Sequence, residues 1–506
     1  MRVGEPVSGC VDRSGGLVVH RDRSSHLDVA SGTSGSQRLE KKNESSLIAS
    51  ATMSSLASVE LLTAAEAEPR MASAAGTLLA AGIEPGERVA FSMGSSANLL
   101  CAVLGAARVG IIPVLLNAGL LDAERQVLLD DAQPTATILD ESSLAALFDG
   151  QAAELAPWPL TRPMHYTSGT TGRAKGVTSG VLTEVDAKAA FDEEVAVWGH
   201  SATDTHMVCS PMYHTVAIRF SAGTLLNGGS LAILTRFDAV TALETIRRVR
   251  PTTTFLVPTH LHRLLALDGL GRHERFDSLR LLAHAGAACP PALKRAAIDR
   301  VADDVLWEFY GATEGQFTTC STTEWLERPG TVGRARPGRR LWIDPIDGED
   351  EVGTIWCEVP DHARFEYFSN PEATAEAWRG SAFTVGDIGS LDAEGYLTLT
   401  GRRTDLIITG GVNVYPAEIE AALVELDGVE EACVFGLDDP DWGQRVCAAV
   451  VGSAELTPES IRLAARGVLA PFKLPKDVYL TSDLPVGPTG KVLRRAIVAH
   501  LGLDAR

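Results

Sequence analysis

The sequence predicts an α/β protein of layered, largely parallel sheets and helices. Two observations carry that expectation. Strand-like and helix-like patterns alternate from about Ser54 to the end of the chain, as in sheets covered by helices. The 506 residues suffice for two or more domains and at least one large core, and 45% hydrophobic against 22% charged residues is the balance of a globular protein.

Residues 1–52 stand apart. They are rich in Ser, Gly, Arg, Asp and Lys, and their apolar content is concentrated in Leu17-Val18-Val19. That is too little for the core of a signal peptide and too little burial to offset ordering entropy. The segment reads as a disordered extension, with Met53 as an alternative natural start. Beyond it, Met71 to Ala81 has helical spacing and is ended by Gly82-Ile83-Glu84-Pro85-Gly86. Arg88 to Ser92 reads as a strand, Asn98 to Val109 as an apolar helix, and Gly110-Ile111-Ile112-Pro113-Val114 follows it. Phe255 to Thr259 and Leu279 to Ala283 read as buried strand ends. Ala285-Gly286-Ala287-Ala288 follows the second, where small residues at a strand's carboxyl end let a flat ring approach. Near the end, Val414 to Leu426 and Pro458 to Leu469 read as helices, the first with Pro416 in its first turn. Val429 to Gly436 and Arg445 to Val451 read as strands.

Composition excludes several classes. The net charge of −20 repels nucleic acid and anionic lipid, and no basic patch overrides it. Cys10, Cys101, Cys209, Cys289, Cys320, Cys357, Cys433 and Cys447 show neither C-x-x-C spacing nor a zinc pattern, which fits free thiols in a reducing cytoplasm. The longest apolar runs, such as Gly110 to Leu116, are too short to span a bilayer.

The densest chemistry lies in Tyr166 to Val177. Between Thr167 and Val177 stand four hydroxyl residues, three glycines and Lys175. Glycines let backbone N–H groups approach a ligand, hydroxyls add donors and the lysine adds a point charge, which suits a polyphosphate. A solvated Ser/Thr/Gly loop has the same composition. It is not a Walker A loop, because Gly176 follows Lys175. Further on stand Trp307 to Gly315, containing Tyr310-Gly311-Ala312-Thr313-Glu314, and Thr384 to Gly389, containing Asp387. The run Gly401 to Glu420 follows, and last comes Pro488-Thr489-Gly490-Lys491-Val492-Leu493-Arg494-Arg495. Singly, each reads as a turn with an ordinary charge.

In this order and spacing the blocks closely resemble those of the adenylate-forming (AMP-binding) superfamily of acyl-CoA synthetases, luciferases and peptide-synthetase adenylation domains. The resemblance covers roughly residues 71–500, and Glu324 to Gly333 points toward acyl-CoA synthetases. It implies a large multi-subdomain amino-terminal domain over 53–402, with a shortened front end, and a small mobile α+β domain over 403–506. The hinge falls near Thr404, where many relatives carry Asp or Lys; any residue that tolerates the φ/ψ change can serve there.

The resemblance also implies roles. Thr167, Ser168, Gly169, Thr170, Thr171, Gly172 and Lys175 would hold the ATP phosphates. Glu314 with Thr170 would hold Mg²⁺, a hard cation that wants oxygen donors. Gly286, Ala287, Ala288, Tyr310 and Gly311 would flank adenine, Thr313 would contact the α-phosphate, and Asp387 the ribose hydroxyls. Arg402 would reach ribose and phosphate, His214 would gate the wall between acid and nucleotide, and Lys491 would be the catalytic lysine. Trp442, Phe472 and Lys476 resemble positions that meet coenzyme A in aryl-CoA ligases, although Leu474 stands where some of those relatives have a basic residue.

The implied reaction is ATP-dependent activation of a carboxylic acid as an acyl-adenylate, with release of pyrophosphate and transfer to coenzyme A in the cytoplasm. Transfer to an amine or a separate carrier protein, or adenylation of an oxyanion such as nitrite, stays open, as does a catalytically inactive nucleotide-binding homologue. The acid pocket is expected along Tyr213 to Phe220 with Val257, Ala285, Gly286 and Gly311, where no lone cation marks a second carboxylate. That favours an apolar acyl or aryl acid. The oligomeric state, a dimer included, is left open.

Overall fold

The computed structural model describes residues 58–167, 174–346, 349–402, 405, 407–409, 412–439, 443–469, 471–486 and 492–503. The expectation for residues 1–52 lies outside them. Strand β1 (Val59–Thr63) runs into a helix over Ala64–Ala80. The start is fixed by a capping box: the Thr63 hydroxyl accepts from the Glu66 amide, and the Glu66 carboxylate accepts from the Thr63 amide. The helix therefore begins before Met71. Pro69 inside it hides its first turns from a propensity reading.

One sheet contains β2 (Arg88–Phe91), β3 (Ile112–Leu115), β4 (Ala136–Ile138), β5 (Met164–Thr167) and β6 (Lys175–Thr178). β4, β2, β3 and β5 are parallel, and β6 turns back antiparallel on β5. The helix Ala97–Arg108, capped by the Ser96 hydroxyl, is buried along almost its whole length against the same core.

The larger sheet is built around β7 (Thr205–Val208), β8 (Ser230–Leu234), β9 (Thr253–Leu256), β10 (Leu281–His284) and β11 (Leu306–Gly311), which are parallel. β1 joins its edge antiparallel to β8. After β11 the sheet becomes antiparallel. The turn to β12 (Gln316–Ser321) spans only Ala312–Gly315, closed by the Ala312 amide on the Gly315 carbonyl at 2.8 Å, and leaves no room for a crossover. The expected largely parallel character therefore holds for the centre of this sheet and ends at β11.

Alternation along β9, β10 and β11 sends Leu256, Leu282 and Leu306 into the core under the helices Ala239–Arg248, Pro258–Leu265 and Pro291–Ile298. Phe255, Ala283 and Phe309 face the other way, under Trp198 at the end of the helix Glu184–Trp198 and Phe220 of the helix Thr215–Leu226. The first of these two helices is tied down by charge. Fully buried Arg336 reaches Glu193 at 2.9 Å and Glu194 at 2.6 Å. Burial alone would raise the Glu194 carboxyl; Arg219 and Arg336 outweigh it and hold it at about 2.

A smaller carboxyl-terminal domain follows. Its sheet pairs Val429–Asp439 with Gly443–Gly452, whose other edge takes both Ile407–Thr409, with Val412–Val414 beyond it, and Asp477–Leu480, and it packs under the helices Pro416–Val424 and Pro458–Ala465. Among the described residues no helix is long and apolar enough to cross a membrane.

Candidate active site

The hairpin of β5 and β6 sets Thr167 opposite Lys175, so the chain between them leaves and returns at one point. Ser168, Gly169, Thr170, Thr171 and Gly172, in that loop, lie outside the described residues. Lys175 is described. Its Nζ stands 4.7 Å from the centroid of the Tyr367 ring, a cation–π contact. The Tyr367 hydroxyl donates to Glu314 Oε1 at 2.8 Å. Burial, and after it the neighbouring Glu314, push the Tyr367 phenol well above its ordinary range, so it stays a donor. Lys175 and Glu314, far apart in sequence, thus meet through one buried ring.

Glu314 lies in the turn after β11 and is buried. The β11–β12 ladder slips between Tyr310 and Gly311, a bulge that re-aims the strand end. Gly311 is required there: a Cβ would stand 2.7 Å from the Gly315 carbonyl oxygen. One residue earlier, the Tyr310 hydroxyl donates to Asp387 Oδ2 at 2.6 Å, within the range of a charge-assisted bond. The Tyr310 ring packs 4.8 Å from Phe317. Asp387 opens the strand Asp387–Leu391 and stands across from Arg402 in the backbone ladder. Glu314, Asp387 and Arg402 are thereby gathered near the carboxyl end of β11, with Thr313 partly exposed in the same turn. On the neighbouring strand, Gly286 follows β10 at φ +93°, a backbone shape that favours glycine, and Ala287 and Ala288 are exposed beyond it.

His214 occupies the residue before the helix Thr215–Leu226, its ring 4.5 Å from that of Tyr213. The Tyr213 carbonyl meets Nδ1 of buried His165 on β5 at 2.8 Å. A carbonyl only accepts, so His165 carries its proton on Nδ1. Burial lowers His165 to about 4 and keeps it neutral. This bond ties the segment bearing His214 to the strand that enters the β5–β6 hairpin.

Two of the positions expected to meet coenzyme A lie on the small domain. Phe472 is 43% exposed, with Lys473 5.5 Å from its ring, and Lys476 is exposed on the small domain. Trp442, Thr404 and Lys491 lie outside the described residues. Sequence reading also passed over Tyr367 and His165. The signal for the first was faint, an aromatic run Phe365-Glu366-Tyr367-Phe368 before Ser369-Asn370-Pro371; for the second it was only a histidine two residues before Thr167.

The sequence matches the AMP-binding enzyme family over residues 44–158 and 162–364, and the AMP-binding enzyme C-terminal domain over residues 418–491. The chain belongs to the AMP-binding enzyme family. Among curated family members, a 2-succinylbenzoate–CoA ligase of Bacillus cereus is 29% identical over 87% of this chain and 93% of its own length. A long-chain-fatty-acid–CoA ligase of Mycobacterium tuberculosis is 30% identical over 84% of this chain and 90% of its own. Among solved family structures, o-succinylbenzoate CoA synthetase from Bacillus subtilis, in complex with its acyl-adenylate intermediate, superposes with a TM-score of 0.76. It is 26% identical over 87% of this chain and 93% of its own.

Proposed function

We propose that this enzyme activates a carboxylic acid with ATP as an acyl-adenylate, releases pyrophosphate and transfers the acyl group to coenzyme A. The observation that carries the proposal is the meeting of Lys175 with Glu314 through Tyr367, beside the Tyr310–Asp387 pair, at one strand end. A cation beside the phosphate hairpin, a buried carboxylate and a second carboxylate suited to a diol form the donor set that ATP requires.

In the first step a carboxylate oxygen attacks the α-phosphorus, and the bond from that phosphorus to the bridging oxygen of pyrophosphate breaks. The protein's contribution is positioning and charge neutralisation. Thr167, Ser168, Thr170 and Lys175 hold the leaving phosphates, Thr313 and Lys491 meet the α-phosphate, Asp387 and Arg402 hold the ribose, and Gly286, Ala287, Ala288, Tyr310 and Gly311 flank adenine. Glu314, with the Thr170 hydroxyl, offers the hard oxygen donors that Mg²⁺ takes; bound there, the ion offsets phosphate charge. His214 separates the acid from the nucleotide.

In the second step the small domain, residues 403–506, turns about Thr404 and withdraws Lys491 from the site. A thiolate then attacks the acyl carbonyl, forming the thioester and expelling AMP. Trp442, Phe472 and Lys476 are the coenzyme A contacts in this reading. The test is product analysis with ATP, an acid panel and, in turn, coenzyme A, amines, a carrier protein and nitrite. AMP with an acyl-CoA product supports the proposal. AMP with an amide or an acylated carrier moves the acceptor, and ADP as the nucleotide product would refute acid adenylation.

A further inference from the structure

Four aromatic rings close a circuit on one face of the large sheet. Trp198 and Phe220 stand 5.3 Å apart, Phe220 and Phe255 6.2 Å, Phe255 and Phe309 5.7 Å, and Phe309 and Trp198 5.5 Å, centroid to centroid. All four are nearly buried, with exposures from 1% for Phe220 to 8% for Phe309. Phe255 comes from β9 and Phe309 from β11, with β10 between them. On this face β10 carries Leu281 and Ala283, with Ala285 just past its end, and the small Ala283 and Ala285 leave room for the rings of Phe255 and Phe309 to meet. Val216, Val257 and Ala285 pack on the circuit, and Gly286 stands where an added Cβ would lie 3.5 Å from Val257.

In a parallel sheet the ligand crevice lies at the carboxyl ends of the strands. Here Val257, Ala285–Gly286 and Gly311 occupy those ends on β9, β10 and β11, beside Glu314. The aromatic circuit closes the sheet face under them with rings that are already in contact. Arg219, on the same helix as Phe220, is paired with Glu194 and is not left over for a second negative charge.

We infer that the acid activated by this enzyme is compact and apolar: a short-chain or single-ring monocarboxylic acid, stopped at the floor made by Phe220, Phe255 and Phe309. This rests on the acid-activating reading above. A packed interior has no spare volume to accept a tail, and opening it means displacing rings from close contact. One methylene gained or lost in an apolar pocket changes selection by about 10–200-fold, so the cut-off should be steep.

The test is acid-dependent pyrophosphate exchange with linear acids from acetate to palmitate and with benzoate, for the wild type, Phe309→Ala and Val257→Phe. For the wild type, hexanoate or shorter acids and benzoate should exceed decanoate and palmitate by about tenfold or more. Phe309→Ala should extend the range toward decanoate; Val257→Phe, at the rim, should shorten it. If Phe309→Ala does not fold, Val257→Phe and the wild-type profile decide. A wild-type optimum at decanoate or palmitate overturns the inference and leaves acid activation standing, as does a length preference that neither variant moves. No exchange with any acid overturns acid activation, and the inference with it.

Discussion

The Tyr367 hydroxyl donates to Glu314 Oε1 at 2.8 Å while Lys175 lies over the face of the same ring. The ring therefore links the cation at the base of the β5–β6 hairpin, proposed to hold phosphate, to the carboxylate proposed for Mg²⁺. Tyr367→Phe keeps the ring and removes the donor. A hydrogen bond to a charged group is worth about 1.5–3 kcal/mol, so kcat/KM should fall about 10–100-fold, with a higher Mg²⁺ requirement. In a Glu314→Gln background the same change should cost far less. Additive losses would show that the two residues act independently.

Asp387 accepts from Tyr310 at 2.6 Å and, in the proposed reaction, also from the ribose diol. Asp387→Asn should raise KM for ATP by about tenfold or more, because one charged acceptor becomes a mixed donor and acceptor. DeoxyATP should be a poor substrate for the wild type, and the variant should discriminate far less between the two nucleotides. Equal discrimination by both would remove Asp387 from the ribose site.

Lys491 is assigned to the first half-reaction alone. Lys491→Ala should cripple adenylate formation while thioester formation from a supplied acyl-adenylate stays within a few-fold of the wild type, about 1 kcal/mol. Measuring the two half-reactions separately decides it. An equal loss in both would contradict the rotation about Thr404.

Buried histidines make stability depend on pH. Burial lowers His165 and His200 to about 4, and His206 and His284 to about 3, against an ordinary value near 6.5. In each, the folded state favours the neutral ring, so below about pH 6.5 the unfolded chain binds more protons. Stability should therefore fall as pH drops from about 6.5 toward 4, by at most about 1.4 kcal/mol per pH unit for each ring. Acids held low in the fold, such as Glu194 at about 2, add to the loss only as pH falls below their ordinary carboxyl range. A melting temperature that stays flat between about pH 6.5 and 5 would contradict this account of the rings.

The legible parts of the sequence were those fixed by local order. The alternation of elements, the small-residue turn after β10 and the blocks containing Lys175, Glu314 and Asp387 can be read directly, because glycine, charge and hydroxyl spacing is a one-dimensional signal. What brings them together is not one-dimensional. Tyr367 is far from both Lys175 and Glu314 in sequence, and only the pairing of Glu366–Tyr367 with Val177–Thr178 on β6 puts its ring under the lysine. The aromatic circuit was equally hidden. Trp198, Phe220, Phe255 and Phe309 come from four elements, and each alone reads as ordinary core. The helix that begins at Ala64 was missed for a local reason, Pro69, which the Thr63–Glu66 capping box outweighs.

The central claim is that a carboxylate oxygen attacks the α-phosphorus of ATP. The most direct measurement uses a substrate acid isotopically labelled in its carboxylate oxygens, followed by mass spectrometry of AMP and pyrophosphate after turnover to the thioester. The account predicts one labelled oxygen in AMP and none in pyrophosphate. Label in pyrophosphate, or unlabelled AMP in a reaction that still consumes acid and ATP, would contradict it.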